Sequence, residues 1–425
     1  MASIVRFTLS TLLLLALASG AAQQITAWVI DGESERPFFV QVEEAFNAAY
    51  ADDGFSVNVV RLPSINDALQ AGFLSGDLPG VIMLDGPNMA SYVWSGQLAP
   101  LDPYLSDELL ADLLPAIIDQ GTYSPDGNLY AISPYDSSVL LWGNRSYLEQ
   151  AGVRIPTSVA DAWTFEEMDA ALAALAELPE VTWPVDMKLN YTGEWYSYGF
   201  SPFLQACGAD LIDRETWQAS GTLDSPAAIE SLERLQSWAT NDWIVPAAAG
   251  DNRFFGDKTA ALAWVGNWMW RVHQEGLGDD LVLIPAPKFC GDDQASPNGG
   301  WSYAIPAVAE HKEIAGAFIE FAMSTEQVAL YADITGYVPA RHSAIELSAL
   351  YGAGGQGALM AEQSATIAVV RPVHPAYPVI SSAFGRAMND ILEGADVATA
   401  LARAARVIDE DIADNDGYPP FDTTR

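Results

Sequence analysis

The first sixty residues after the apolar N-terminus alternate between strand and helix patterns, and this alternation limits the folds open to the chain. Gln24–Ile30, Phe55–Val60 and Gly80–Leu84 are short runs rich in β-branched and apolar residues, which is typical of strands. Between them, residues 38–50 and 66–75 carry apolar side chains at helical spacing. A β-α-β-α-β order predicts an α/β fold with a mostly parallel sheet, in which ligands bind beyond the carboxyl ends of the strands.

Length and charge narrow the function classes. The chain has 425 residues, which is comfortable for two domains. Its 19 Lys and Arg against 56 Asp and Glu give a net charge of −37. Because phosphate contacts need Lys and Arg, this charge argues against binding to nucleic acid or to an anionic membrane. We expect the acidity to keep the whole surface soluble, and selection for cationic ligands is the weaker interpretation.

The N-terminus has the pattern of a secretory signal peptide. Arg6 precedes an almost wholly apolar run from Phe7 to Ala18, and small residues follow up to Ala22. Cleavage near Ala22 makes residues 1–22 the predicted signal peptide. No Cys follows the small residues, so we expect a periplasmic protein without a lipid anchor. No later run is long enough to span a bilayer.

The aromatic stretch Ala260–Arg271 is the main functional signal. Its tryptophans, and one that follows Gly299-Gly300, stand next to Gly or Asn at apparent element ends: Trp264, Trp268, Trp270 and Trp301. An indole ring can cover the apolar C–H face of a sugar, while a neighbouring Asn or Asp bonds its hydroxyl edge. The alternative interpretation is that these tryptophans belong to the core, since Trp is usually largely buried.

Other motifs indicate no metal or cofactor. Cys207 and Cys290 form either a disulfide or two buried thiols, because sequence alone does not place them together. The four histidines show no metal-ligand spacing. Gly352–Gly357 matches a dinucleotide-binding pattern, but it follows a helix-like segment where that turn requires a strand. We therefore interpret it as a loop.

Several motifs, each weak on its own, occur in an order that resembles that of the extracellular solute-binding proteins of ABC importers, in the large family that includes maltose- and trehalose-binding proteins. The resemblance covers about Ile25 to Asp411. The segments that carry it, besides the signal peptide and the aromatic stretch, are Gly96–Leu101, Leu141–Arg145, Gly299–Trp301, Gly336–Arg341 and Arg371-Pro372. Ser381-Ser382 stand where maltose-binding relatives have a Trp, which argues against maltose itself.

The resemblance implies a two-lobed periplasmic-binding-protein fold of the type II, maltose-binding-like class, with hinge crossings and a central ligand cleft. By this similarity, residues 23–134 and 287–336 form the N-terminal lobe. Residues 137–285 and 341–425 form the C-terminal lobe. The crossings fall in the Pro-Tyr-Asp turn that ends at Asp136, at Pro285–Pro287, and at Gly336–Pro339.

Candidate ligand contacts come from strand ends and from the resemblance. Asp31, Glu33 and Asp85 lie in loops that follow predicted strands. Trp268 matches the sugar-stacking aromatic of the family. The resemblance and the aromatic stretch complete the predicted set with Asp136, Ser137, Trp195, Trp264, Asn267, Trp301, Tyr337 and Arg371. The resemblance implies a sugar-binding protein that acts by closure and is not an enzyme. It also implies a monomer that delivers its ligand to a membrane permease.

Two rival functions remain open on the sequence. A binder of polyamines or other cations would use the acidic loop residues around the aromatic rings. A secreted glycoside hydrolase would also combine carboxylates with aromatic rings. With 56 acidic residues some carboxylates meet in any fold, so their abundance does not favour a hydrolase.

Overall fold

The computed structural model describes residues 23–419. The predicted signal peptide at residues 1–22 lies outside the described residues. The helices are α1 (Arg36–Ala49), α2 (Ile65–Ser75), α3 (Met89–Trp94), α4 (Asp107–Ala111), α5 (Pro115–Gly121), α6 (Arg145–Gln150), α7 (Phe165–Ala176), α8 (Trp195–Gln205), α9 (Pro226–Thr240), α10 (Trp270–Leu277), α11 (Lys312–Ala322), α12 (Thr325–Thr335), α13 (His342–Leu347), α14 (Ala358–Thr366), α15 (Tyr377–Leu392) and α16 (Val397–Asp414).

The strands are β1 (Gln23–Ile30), β2 (Phe55–Leu62), β3 (Val81–Asp85), β4 (Leu98–Ala99), β5 (Thr122–Tyr123), β6 (Asn128–Leu129), β7 (Tyr135–Asp136), β8 (Val139–Asn144), β9 (Trp183–Asp186), β10 (Ala260–Gly266), β11 (Leu281–Ile284), β12 (Ser296–Pro297), β13 (Trp301–Pro306), β14 (Val338–Pro339) and β15 (Ala368–Val369). No helix among residues 23–419 is long and apolar enough to cross a bilayer.

The first sheet has the strand order β2-β1-β3-β13-β4. The strands β2, β1 and β3 are parallel, which confirms the α/β prediction for the N-terminal third of the chain. The strand β13, from much later in the sequence, pairs antiparallel with β3 and places Trp301 opposite Asp85. Helices α1 and α12 pack against each other beside this sheet, with Phe38 in contact with Tyr331 (ring centroids 4.5 Å apart). The carboxyl end of β3 and the start of β13 therefore lie at the same edge.

The second sheet has the order β11-β8-β10-β9 and is built mainly from the middle of the chain. Every residue of β8 and β10 is buried, as their continuous apolar runs suggest. Helix α7 begins at a capping box in which Thr164 and Glu167 satisfy each other's backbone N–H groups, and the Thr-x-x-Glu pattern in the sequence is typical of this motif. Ser225 caps α9 with Pro226 in the first turn, where the missing N–H of proline costs nothing. The two sheets give the α/β two-lobed architecture.

The chain passes between the two sheets near β7 and β14, which pair antiparallel with each other. The predicted crossing at Pro285–Pro287 is wrong, because residues 287–298 stay with the second sheet. Phe289 packs on Trp264 of β10, Cys290 is bonded to Cys207 after α8, and Ser296 donates to the carbonyl of Val139 (2.9 Å). The crossing instead lies just before β13.

The start of the last predicted lobe segment also needs correction. Arg341 forms an ion pair with Asp112 (2.7 Å) and donates to the carbonyl of Met323, and α13 packs against α12. These partners all belong with the first sheet. The chain therefore reaches the second sheet again only with α14, whose Gln363 donates to the carbonyl of Val139 (2.7 Å).

Candidate ligand-binding site

A cavity of about 360 Å³ lies between the edges of the two sheets. The residues that line it come from β3, β7, β13, α8, the turn after β10, and the loops before β14 and α15. They are Asp85, Tyr135, Ser137, Glu194, Trp195, Tyr198, Trp268, Gly300, Trp301, Tyr337 and Arg371. Its volume falls at the small end of the range of about 300–1,000 Å³ that is usual for small-molecule sites.

Aromatic rings line the cavity on the side of the second sheet. Trp268 follows the end of β10 and meets Trp195 edge-on, with ring centroids 6.2 Å apart. The ring centroids of Tyr198 and Trp268 lie 6.0 Å apart. Trp195 is only 5% exposed and its indole N–H donates to the carbonyl of Met187 (3.2 Å), whereas Trp268 is half-buried. The Trp268 ring is therefore supported by neighbours and still open to the cavity.

A second set of aromatic rings lines the cavity from the first sheet and the crossing strands. Tyr135 and Tyr337 are stacked with centroids 4.1 Å apart. The Tyr135 hydroxyl accepts the backbone N–H of Trp301 (3.1 Å) and so fixes the start of β13. In the part of the chain that the structure describes, Trp301 stacks on no other aromatic ring. Its half-buried indole is available to a ligand.

The glycines before β13 allow the crossing segment to lie directly against Tyr198 and Ser133. A Cβ on Gly299 would come within 2.5 Å of the Tyr198 ring, and a Cβ on Gly300 within 2.4 Å of the Ser133 hydroxyl. Any side chain at either position would therefore push the two sheets apart or displace a cavity wall. The sequence Gly299-Gly300-Trp301 is explained by this close approach.

Charged groups form a network at one end of the cavity. Arg371 is 2% exposed, and its Nη1 donates to Glu194 Oε1 (2.7 Å). Its Nη2 lies 3.5 Å from Asp85 Oδ1. The Tyr377 hydroxyl also donates to Glu194 Oε1, and Ser381 donates to Oε2 (2.7 Å). Glu194 is thus fixed by three donors, while Asp85 has one long ion pair that joins the two sheets.

The electrostatics follow from burial and from this pairing. Burial raises the pKa of Asp85 to about 6; the nearby Arg371 cation opposes this rise and the Glu194 carboxylate adds to it. Burial also acts to lower the pKa of Arg371, but Tyr377, Asp85 and Glu194 together raise it above its ordinary value. The guanidinium therefore stays charged, and its Cζ atom lies 4.8 Å from the Tyr198 ring centroid.

Of the predicted contacts, the structure brings one group together in the cavity: Asp85, Ser137, Trp195, Trp268, Trp301, Tyr337 and Arg371. The other predicted residues lie elsewhere. Asp31 lines an adjoining cavity of about 450 Å³ that shares Trp301, and it is held in an ion pair with Arg36 (2.7 Å). Glu33 is exposed and lines neither cavity, so its prediction as a contact is not supported.

Trp264 is a core residue, and its prediction as a ligand contact is wrong. It is 1% exposed, and its indole N–H donates to the carbonyl of Gly199 (2.8 Å). Its ring packs against Phe203 and Phe289, at centroid distances of 5.8 and 6.0 Å. Trp264 lies inside β10 and points between that strand and α8, so it cannot reach a ligand in the cavity.

Asp136 and Asn267 do not line the cavity, which corrects their predicted role as contacts. Their side chains instead form hydrogen bonds within the segments next to it. Asp136 Oδ1 accepts from Asn298 Nδ2 (2.9 Å) and from the Gly299 N–H (3.2 Å). Asn267 Nδ2 donates to the Asp136 carbonyl (2.9 Å). Burial raises the pKa of Asp136 to about 6, although these amide donors lower it. Both side chains hold the crossing glycines in place.

Sequence reasoning missed several cavity residues: Tyr135, Glu194, Tyr198 and Gly300. The segment Tyr191–Phe200 is both aromatic and polar, but its sequence does not show which side chains turn inward. Helical spacing from Trp195 to Tyr198 was the available signal, since residues three apart share a helix face. Among residues 23–419, no three His, Cys, Asp or Glu side chains are grouped so that they could hold a metal ion.

Residues 41–354 match the family model described as bacterial extracellular solute-binding protein. The chain belongs to this family. Its members bind solutes for ABC importers outside the cytoplasm and carry out no reaction, so this solute-binding protein is not an enzyme and works with a membrane permease.

Known relatives are distant in sequence but extensive in coverage. The arabinooligosaccharide-binding protein of Bacillus subtilis (strain 168) is 22% identical over 327 residues, which cover 72% of this chain and 70% of that protein. The maltooligosaccharide ABC transporter solute-binding lipoprotein of Streptococcus pneumoniae (strain ATCC BAA-255 / R6) is 23% identical over 364 residues, 79% of each chain. The sugar-binding protein MalE of Xanthomonas citri has a similar structure, with TM-score 0.77 and 19% identity over 93% of this chain and 98% of that one. The structural similarity shows the two-lobed fold.

Proposed function

We propose that this solute-binding protein captures an uncharged saccharide in the cavity between its lobes and delivers it to an ABC permease. The observation that carries the proposal is the pair of half-buried indoles, Trp268 and Trp301, that line one cavity from opposite sheets. Two flat apolar surfaces suit the C–H faces of sugar rings, and Asp85, Ser137 and Arg371 supply polar atoms for hydroxyl groups. The names of the two curated relatives above, both saccharide binders, support the same class.

The charge of the cavity favours an uncharged ligand over a charged one. Asp85 and Glu194 would repel a uronate or a sugar phosphate, because Arg371 is already shared between these two carboxylates. A polyamine needs carboxylates that are free to pair with its ammonium groups, and the buried guanidinium already engages both Asp85 and Glu194. Arg371 therefore disfavours the cation-binding alternative that the acidic composition left open.

The mechanism we propose is binding by closure. Residues 23–134, 301–336 and 341–347 form one lobe and residues 137–298 most of the other, with β7, β14 and Gly299-Gly300 acting as the hinge. Ligand contacts from both lobes are complete only in the closed form, so the ligand shifts the population towards closure. We further propose that residues 1–22 direct export, that the mature protein is periplasmic without a lipid anchor, and that it acts as a monomer that binds no nucleic acid.

A thermal-unfolding panel tests the class of ligand. The panel contains neutral mono-, di- and oligosaccharides, polyols, the uronic acids of the same sugars, and polyamines. A ligand at one hundred times its Kd that binds only the folded state stabilises the protein by about 2.7 kcal/mol. We expect a neutral saccharide to raise the melting temperature and its uronate counterpart to leave it unchanged. A rise with polyamines or uronates but with no neutral sugar would contradict the proposal.

A further inference from the structure

The last described residues leave the second lobe and contact a helix of the first. After α16, the Pro419 carbonyl accepts a hydrogen bond from the indole N–H of Trp94 (2.7 Å). The Tyr418 ring meets the Trp94 ring edge-on, with centroids 4.9 Å apart. Trp94 ends α3, which packs against β4 of the first sheet. This contact therefore joins the two lobes at a point away from the ligand cavity.

Tyr418 itself is anchored to the second lobe. Its hydroxyl donates to Asp411 Oδ2 (2.7 Å) and accepts from Asn415 Nδ2 (3.2 Å), both in or next to α16. Its ring lies 5.5 Å from the ring of His374, which in turn lies 4.5 Å from Trp217. One side of the tyrosine is thus fixed, while the other side depends on Trp94.

The backbone of this segment is strained. Asp416, Gly417 and Tyr418 have φ angles of 54°, 75° and 53°, so three successive residues are left-handed. For a residue with a side chain this conformation costs roughly 1–2 kcal/mol, and here two of the three carry one. Such a conformation persists only where surrounding contacts outweigh its cost, and these sites are often conformational switches. The Trp94 contact is one of the contacts that hold it.

We propose that residues 416–419 form an interlobe strap, which engages Trp94 in the closed form and releases it on opening. Because Trp94 moves with the first lobe, opening removes both the hydrogen bond and the ring contact. A contact made only in the closed form shifts the population towards closure. The strap touches no ligand, so it strengthens the binding of every ligand by the same factor. This inference rests on lobe closure and not on the identity of the ligand.

Two truncations separate the strap from the rest of the C-terminus. A chain that ends at Asn415 keeps α16 and its last cap but lacks the strap. A matched control that ends at Pro419 keeps the strap and removes only residues 420–425. A third variant, Trp94→Phe, retains the aromatic ring in the full chain but removes the indole N–H donor. Small-angle X-ray scattering without ligand reports the lobe opening, and calorimetric titration reports affinity.

We expect the chain that ends at Asn415 to have a larger mean radius of gyration than the control, with the Trp94→Phe variant in between. The saccharide affinity of the chain that ends at Asn415 should fall by at least about fivefold, which is the lower end of typical coupling between sites. The factor should be the same for each saccharide. Equal scattering and equal affinity for both truncations would overturn the strap, as would a loss that differs between ligands. If no saccharide binds but the scattering differs as expected, the strap stands and the proposed function fails.

Discussion

Trp264 and Trp268 belong to one aromatic stretch, but the fold places them in opposite environments. Trp264 lies inside β10, where every residue is buried, and its N–H is satisfied by the Gly199 carbonyl. Trp268 lies just past the end of that strand and lines the cavity between the lobes. The difference shows that position relative to the strand end, and not the residue type, decides whether an aromatic serves the core or the ligand.

Gly266 is the residue at which one environment changes into the other. It is the last residue of β10, and a Cβ there would lie 1.8 Å from the Trp268 ring. The indole of Trp268 therefore rests directly on the backbone of Gly266. The absence of a side chain at that position sets the angle at which Trp268 enters the cavity.

The largest expected effect is on the stability of the protein and comes from a change at Trp264, the core residue of the pair. Replacing Trp264 with Ala leaves a large void between β10 and α8 and removes the hydrogen bond to Gly199, so we expect the free energy of unfolding to fall by about 3–5 kcal/mol. Chemical denaturation measures it. Saccharide affinity at a temperature where the variant is folded should change little, and a selective loss of affinity with unchanged stability would place Trp264 in the site after all.

The matching change on the cavity side is Trp268→Ala. We expect saccharide binding to weaken by about 1–3 kcal/mol, from lost apolar contact and stacking, with a much smaller effect on unfolding than Trp264→Ala has. Calorimetric titration measures the affinity. Trp243, which is also half-buried but lines none of the cavities described above, is the matched control. If the Trp243→Ala and Trp268→Ala variants bind equally well, Trp268 does not contact the ligand.

A subtler change tests the residue between the two. Gly266→Ala keeps both tryptophans but forces the Trp268 ring away from its place. We expect a loss of affinity of about 1–2 kcal/mol, somewhat less than that of Trp268→Ala, because a displaced ring retains part of its contact. The double variant Gly266→Ala with Trp268→Ala should bind no more weakly than Trp268→Ala alone. An additive loss would mean that Gly266 acts on the site by another route.

The smallest effect concerns His273, which lies in α10 two residues after the end of the aromatic stretch. Its ring lies among Trp142, Phe254 and Phe255, and neither nitrogen has a hydrogen-bond partner in the part of the chain that the structure describes. Burial lowers its pKa well below 6.5, and the nearby Lys188 cation lowers it further. Below pH 6.5 the unfolded chain therefore binds a proton at His273 that the folded chain does not. The contribution of the neutral, buried ring to the free energy of unfolding is thus present above pH 6.5 and is lost as the pH falls below it.

His273→Phe should remove that pH dependence. Between about pH 7 and about pH 5.5 we expect the wild-type protein to lose about 1 kcal/mol more unfolding free energy than the variant does. Denaturation at the two pH values measures the difference, and His342→Phe, on α13, is the control. Parallel pH profiles for the wild type and the His273→Phe variant would show that His273 titrates normally in the folded state.

Local signals predicted local structure well. The first three strands are confirmed, and the capping box at Thr164 and the start of α9 at Ser225 follow residue patterns that span only one turn. Helix α15 begins at Tyr377 with Pro378 in its first turn, where the missing N–H of proline costs nothing. The strand-end position of Asp85 was also predictable from the alternation.

Long-range features were not predictable in this way. The place where the chain returns to the first sheet depends on Phe289 packing onto Trp264 and on the bond between Cys290 and Cys207, neither of which leaves a local pattern. The same holds for Glu194, whose place in the cavity is set by donors about 180 residues away, at Tyr377 and Ser381. Composition shows that carboxylates are abundant but not which of them face the ligand.

The most direct measurement is a crystal structure of the protein with the saccharide that most raises its melting temperature. We predict a sugar ring with one C–H face on Trp268, a second contact with Trp301 from the opposite lobe, and hydroxyl groups within hydrogen-bond distance of Asp85 or Arg371. A saccharide bound outside this cavity, or one held there by residues of a single lobe with both indoles turned away, would contradict the account.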